Sequence, residues 1–362
     1  MSTDQGLQDR LTMVKRAVVE AFGNLPLPSE DALIKASRPH TGLPPEVAER
    51  EMVERERIRQ ELAGKRWQEL DATFLQARWA ALCYLSPTAW YYYLPALLSA
   101  SLEHFSETNQ LIHATVYSVL TPSAWALYFQ GRDEGFEEQV TQFDERQFTV
   151  VRSFLELVFD YLPRWRHQSA QALKWGWNTP HNRVMEKVQE FYERLSHYEY
   201  PPSQDPQVRE LIDQIRTAFS ATPYPGDQQL CGSSQDDEPA EYALEFRGLD
   251  WRTLHPDLLE LNYAALSFFT PEGFRYFLPA FLIHDLTVAG ASADPVFHLT
   301  YGLCEGDRED LRTHGLDRYA RFAPIERTAI VSYLKYRAAS DRWDVEGVER
   351  IGQALEQYWL KQ

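Results

Sequence analysis

The chain has 362 residues, of which 25% are charged and 13% aromatic, and its net charge is −17 at neutral pH. That composition excludes a disordered polymer and supplies enough apolar mass for two cores of ordinary size. Residues 1–200 carry 27 acids and 21 bases (27 − 21 = 6 excess negative charges), and residues 201–362 carry 26 and 15 (26 − 15 = 11). Such a field repels phosphate backbones, so no nucleic-acid partner is expected; it favours solubility and steers a basic partner protein.

In chain order, Leu11, Val14, Val18 and Phe22 recur at helical spacing and predict a first helix that ends at Gly23. Asn24 to Asp31, with Pro26 and Pro28, then reads as an extended strap. Pro44 to Arg66 is dense in Glu and Arg at i, i+3 and i, i+4 spacings, which predicts a solvated helix. Trp67 to Leu85 reads as a helix. Ser86-Pro87 starts the next one, because a hydroxyl N-cap followed by proline leaves no backbone donor unpaired there. Pro95 predicts a kink or break within it. A short apolar element over 112–120 follows, and Thr121-Pro122 begins a helix with Trp125 and Phe129. Phe143 to Leu155 is amphipathic. Residues 180–206 contain a linking helix and a Pro-rich linker ending in Tyr200-Pro201-Pro202-Ser203-Gln204-Asp205-Pro206.

Most of this recurs. Residues 67–98 align with 251–282 without a gap, 184 positions later, with twelve of 32 pairs identical. Ala21-Phe22 and the strap recur 197 positions on, at Ala218-Phe219 and Thr222-Pro223-Tyr224-Pro225, and Phe143–Leu155 recurs 179 on, at Phe322–Leu334. Weaker echoes pair Arg164-Trp165 with Arg342-Trp343 and Gln171-Ala172-Leu173 with Gln353-Ala354-Leu355. The expected fold is mainly α: two tandem pseudo-repeated helical domains with little or no β. The first repeat is residues 1–179, with a charged helical insertion near 44–66; a linking helix and linker follow at 180–206, and the second repeat is 207–362.

Trp79 to Leu102 is 24 residues without a charge, long enough to span a bilayer. Its counterpart in the second copy holds Glu272, Arg275, His284 and Asp285, each costly at a bilayer centre. Two copies of one fold therefore predict no membrane span. Cys83, Cys231 and Cys304 form no CxxC pair, and Met1-Ser2-Thr3-Asp4 lacks the features of a signal peptide, so cytoplasmic residence is expected.

The second copy carries Tyr224-Pro225-Gly226-Asp227, Trp251–Leu254, Ala265–Pro271 and Phe274-Arg275-Tyr276-Phe277-Leu278-Pro279-Ala280. Over most of residues 208–340 it resembles an uncharacterised, largely bacterial family of domains of unknown function. The first copy departs from that pattern, with Ser29-Glu30-Asp31 after Pro28 and Tyr91 in place of Arg275. The resemblance implies a single helical domain per copy and no assigned activity. Small acidic domains of this kind suggest, by analogy, immunity proteins of toxin–antitoxin pairs.

The chain holds no phosphate-binding loop, no GxGxxG, no HExxH and no GxSxG, and no cofactor or metal is expected. The acidic runs Asp133-Glu134-Gly135-Phe136-Glu137-Glu138 and Asp236-Asp237-Glu238 have aromatic neighbours, a chemistry suited to a basic protein surface; each is expected to lie in a solvated loop. The leading expectation is a non-enzymatic acidic protein-binding protein, an immunity or inhibitor protein that neutralises a basic toxin or partner. The alternative is an enzyme, hydrolytic or metal-dependent, with its site in the second repeat among Asp227, His255, Arg275, His284 and Asp285. Asp257 and Glu260 lie near that set, and Arg275 is expected to pair with Glu272 or Asp285.

Overall fold

Ser86 and Thr270 cap the two central helices. The hydroxyl of Ser86 accepts from the amide of Ala89 at 3.1 Å, and that of Thr270 accepts from Gly273 at 3.1 Å. With proline in the first turn of each, the helices run Pro87–Glu103 and Pro271–Thr287, equal in length and 184 positions apart. Neither breaks at its internal proline, Pro95 or Pro279. Both prolines are buried with most of their helix, so tertiary packing outweighs the roughly 3 kcal/mol that an internal proline costs.

The same strap pins both helices. An antiparallel bridge joins Ile34 to Leu85 and another joins Cys231 to Phe269. The amide of Ser86 donates to the carbonyl of Leu33 at 3.0 Å, and that of Thr270 to Leu230 at 2.9 Å. The cap hydroxyls reach back as well, Ser86 to the carbonyl of Ala32 and Thr270 to that of Gln229. Each hydroxyl therefore caps a helix and anchors a strap, which is why Ser/Thr stands there in both copies.

The computed structural model describes residues 2–35, 45–178, 183–232, 237–304, 306–340 and 345–361. Among these the chain is helical with no sheet, the two bridges aside. It divides into two units: residues 1–123 with 132–188, and residues 124–131 with 189–362. The second unit thus takes Ala124–Gly131 out of the first repeat's sequence. Tyr128 explains this assignment, since its hydroxyl donates to the carbonyl of Asp227 at 2.7 Å and accepts from the amides of Leu230 and Cys231. The far boundary falls inside the helix Arg183–Ser196, after Val188.

Several local expectations are revised. The span from Trp67 to Leu85 is not one helix: Asp71 caps a short helix, Ala72–Arg78, between 3₁₀ segments at Trp67–Glu69 and Trp79–Tyr84. Asp133–Glu138 is not a loop, because Asp133 accepts from the amide of Phe136 and starts the helix Glu134–Val140. Acidic side chains suit that first turn, where the helix dipole is positive. Likewise Asp237 and Glu238 open the helix Asp237–Phe246. Asp236 and the Arg342-Trp343 echo lie outside the described residues. No helix among the described residues is long and apolar enough to cross a membrane.

Candidate functional site: a buried ionic framework in the second repeat

The central helices share a backbone but not a chemistry. Tyr91 in the first repeat donates its hydroxyl to Gln147 Oε1 at 2.7 Å, and Gln147 closes a capping box with Asp144. The corresponding pair in the second is Arg275 and Glu326. Arg275 Nε lies 2.8 Å from Glu326 Oε2, and the same carboxylate accepts from the amide of Ala323 at 2.7 Å and the hydroxyl of Thr222 at 2.5 Å. The partner of Arg275 is thus Glu326, neither Glu272 nor Asp285. Glu272 instead faces Arg321 at 3.4 Å on the surface.

Nearly three turns further along, Asp285 is 5% exposed. Its Oδ2 accepts from the Tyr333 hydroxyl at 2.5 Å and from Arg337 Nε at 2.6 Å, while Arg337 also donates to the Asp285 carbonyl. Burial opposes the charge on Arg337, yet Asp285 and Tyr333 raise its pKa. Burial and Asp285 push the Tyr333 phenol well above its ordinary value. The first repeat has Ser101, Phe154 and Val158 at these places, and Ser101 shares a hydrogen bond with Thr115 at 3.2 Å.

His284, fully buried, turns the other way. Its Nε2 is 2.5 Å from Glu260 Oε1, and Glu260 accepts from the amide of Ser292 at 3.1 Å. Burial acts against the Glu260 carboxylate, but Ser292 and His284 together hold its pKa below the usual range. The Nδ1 of His284 is buried without a hydrogen-bond partner. Ala100 and Gln76 stand here in the first repeat.

Two more arginines complete the framework. Arg318 donates to the carbonyls of Leu266, Ser267 and Phe269 and lies 5.0 Å from the Phe274 ring; burial pulls its pKa down to about 10. Arg327 donates to Phe322 and Tyr319 carbonyls and the Tyr358 hydroxyl, where the first repeat has Phe148.

The five candidate catalytic residues are therefore held in separate sets of contacts. Asp227 accepts from the Tyr224 hydroxyl at 2.7 Å. Gly226 before it has φ 96°, a conformation open to glycine, where Ser29 in the first repeat has φ −65°. His255 caps the helix Pro256–Leu261 through Nδ1, at 3.0 Å from the amide of Asp257. Burial lowers its pKa, with Arg194 adding to the effect against Asp257. Arg275, His284 and Asp285 are spaced along one helix but aim at Glu326, Glu260 and Tyr333/Arg337 respectively. Among the described residues no group of three His, Cys, Asp or Glu is placed to hold a metal ion.

Of the acidic residues, Asp133 accepts from the amides of Ser123 and Phe136, and Asp237 from that of Trp125. Glu134 pairs with Arg132 and Glu238 accepts from Tyr242 at 3.1 Å. Glu134, Glu137, Glu138 and Glu238 are exposed.

Sequence reasoning missed Glu326 although the signal was present. Tyr91 and Gln147 both change to charged residues of opposite sign in the other copy, which is what a contacting pair does. It also missed Trp177 and Trp359, which lie 182 positions apart, as Gln171 and Gln353 do. Their indoles donate to the carbonyls of Leu120 at 2.8 Å and Leu299 at 2.9 Å, the same buried tie in each unit.

A family model matches the chain twice, over residues 11–181 and 207–362. The chain belongs to the family of unknown function DUF6714. Both DUF6714 repeats match it, including the first, which lacks the Gly226-Asp227 and Arg275 features. The ionic framework thus distinguishes the two DUF6714 repeats within one chain. Comparison with curated proteins and with solved structures finds no match.

Proposed function

We propose that this protein is a non-enzymatic, acidic protein-binding protein: a cytoplasmic, bacterial immunity or inhibitor protein that covers a basic toxin or comparable partner. The observation that carries this reading is the division of labour among its charges. The charged side chains inside the second repeat are consumed by one another and by backbone groups. The excess of 17 negative charges acts outward, through acids such as Glu134, Glu137, Glu138 and Glu238. Such a surface steers a basic partner at a rate that salt screens.

The test is affinity capture of the full chain from its native host, followed by association kinetics with the captured protein. The expected partner has a high isoelectric point, and its on-rate falls at least about tenfold when ionic strength rises from about 0.01 to 0.15 M. A salt-independent on-rate removes the electrostatic basis of the reading. A toxin reading frame beside the gene supports it directly.

One observation favours a second reading, an enzyme with its site in the second repeat. His284 is bonded to a half-buried carboxylate through one ring nitrogen and keeps the other unpartnered, the arrangement of an oriented base. Loss of a cellular phenotype in His284→Gln and Glu260→Gln, with folding intact, would favour this reading over the first.

A further inference from the structure

The second unit contains a cleft of about 440 Å³ lined by His197, Tyr198, Glu199, Arg216, Trp251 and Arg252. Its frame is rigid. The extended chain after Ser196 is clamped to the turn Trp251–Thr253, with the amide of Tyr198 donating to the Thr253 carbonyl at 2.7 Å and that of His255 to Leu195 at 2.8 Å. Thr253 Oγ1 closes the clamp on the Ser196 carbonyl at 2.7 Å. Tyr198 is braced edge-on by Tyr200 and His255, at 5.0 and 4.5 Å.

The cations are distinctive. Arg252 lies over the Trp251 ring at 4.9 Å, with Nη1 on Asp250 at 2.9 Å and Nη2 on the Ser220 carbonyl at 2.6 Å. A guanidinium so held is oriented in advance, and it has more N–H donors than these bonds use. Arg216 is exposed on the helix Pro206–Ala218 and makes no ion pair with any described residue. In the first repeat these two positions are Gln68 and Val19.

The wall of the cleft also differs from its counterpart in the first repeat. Trp251 is 1% exposed, and its indole N–H has no partner. The equivalent indole of the first repeat, Trp67, donates to the Phe22 carbonyl at 3.2 Å. The buried Tyr200 hydroxyl beside Arg216 is likewise unpartnered.

We propose that this cleft binds a small organic monocarboxylate with a flat apolar body. Arg216 and Arg252 take the carboxylate, a group that a guanidinium meets with paired N–H bonds. Tyr198 packs the ring. Glu199 in the lining, with Asp250 on Arg252, disfavours more highly charged anions such as a phosphate dianion.

The test is calorimetric titration of the full chain with benzoate, cinnamate and indole-3-acetate, alongside their amides and phenyl phosphate. At least one carboxylate is expected to bind saturably, with its amide and phenyl phosphate weaker by about tenfold or more. Arg216→Gln and Arg252→Gln should each weaken it by about tenfold, and Tyr198→Ala should also weaken it, with helical circular dichroism unchanged. The proposal is overturned if no carboxylate binds below about 10 mM, if the amides bind equally, or if both arginine variants bind as the parent does.

Discussion

Arg275 and Glu326 meet at 2.8 Å in the place where Tyr91 and Gln147 share a neutral hydrogen bond of 2.7 Å. One helical scaffold thus holds the same contact in an ionic and a neutral form. Glu326 is 2% exposed, whereas the Arg275 side chain is 27% exposed, so the carboxylate depends on the guanidinium more than the reverse.

Removing the arginine strands that carboxylate. Arg275→Ala is expected to destabilise the second repeat by about 3 kcal/mol, the scale of an uncompensated buried charge. The double variant Arg275→Tyr with Glu326→Gln, which installs the first repeat's pair, should recover most of the loss. Urea denaturation of the three proteins checks this, and a double variant no better than the single one would show that the pairs are not interchangeable.

Asp285 is more deeply committed, being 5% exposed and held by Tyr333 and Arg337. Arg337→Met is expected to cost about 3–5 kcal/mol, because it removes the cation paired with a buried carboxylate. Tyr333→Phe, which keeps the ion pair, should cost only about 1–3 kcal/mol. The order of the two denaturation midpoints is the readout.

Acid should weaken the second repeat through His298. Burial, with Arg318 close by, lowers its pKa from 6.5 to about 3. Between these values the unfolded chain takes up a proton that the folded chain refuses, so stability is present above pH 6.5 and falls as pH drops. Each pH unit in that window costs at most about 1.4 kcal/mol. His298→Leu should therefore lessen the loss of stability between pH 7 and pH 5 by up to about 2 kcal/mol, as read from denaturation curves at the two pH values.

Tyr128 tests the assignment of residues 124–131 to the second unit. Tyr128→Phe removes a hydroxyl that serves the Asp227 carbonyl and the amides of Leu230 and Cys231, at a cost of about 1–3 kcal/mol. Hydrogen exchange should quicken at Leu230 and Cys231. Unchanged exchange there would mean the hydroxyl does not hold the strap.

The two central helices, their Ser/Thr caps and the straps before them were legible because they depend on local rules: a cap hydroxyl, a proline at the first turn, and apolar residues at helical spacing. The sequence by itself determined the helical class and the duplication, since apolar residues recur at helical spacing and identical pairs recur at a constant offset. Tertiary structure alone decided which charges meet. Arg275 finds Glu326 across 51 residues, and His284 and Asp285, neighbours in sequence, face different partners because a helix turns about 100° per residue. It alone also sent Ala124–Gly131 into the second unit, where the two copies diverge and no repeat could signal it. Ion pairing and packing over such separations follow distance in the folded chain, and the order of residues does not encode that distance directly.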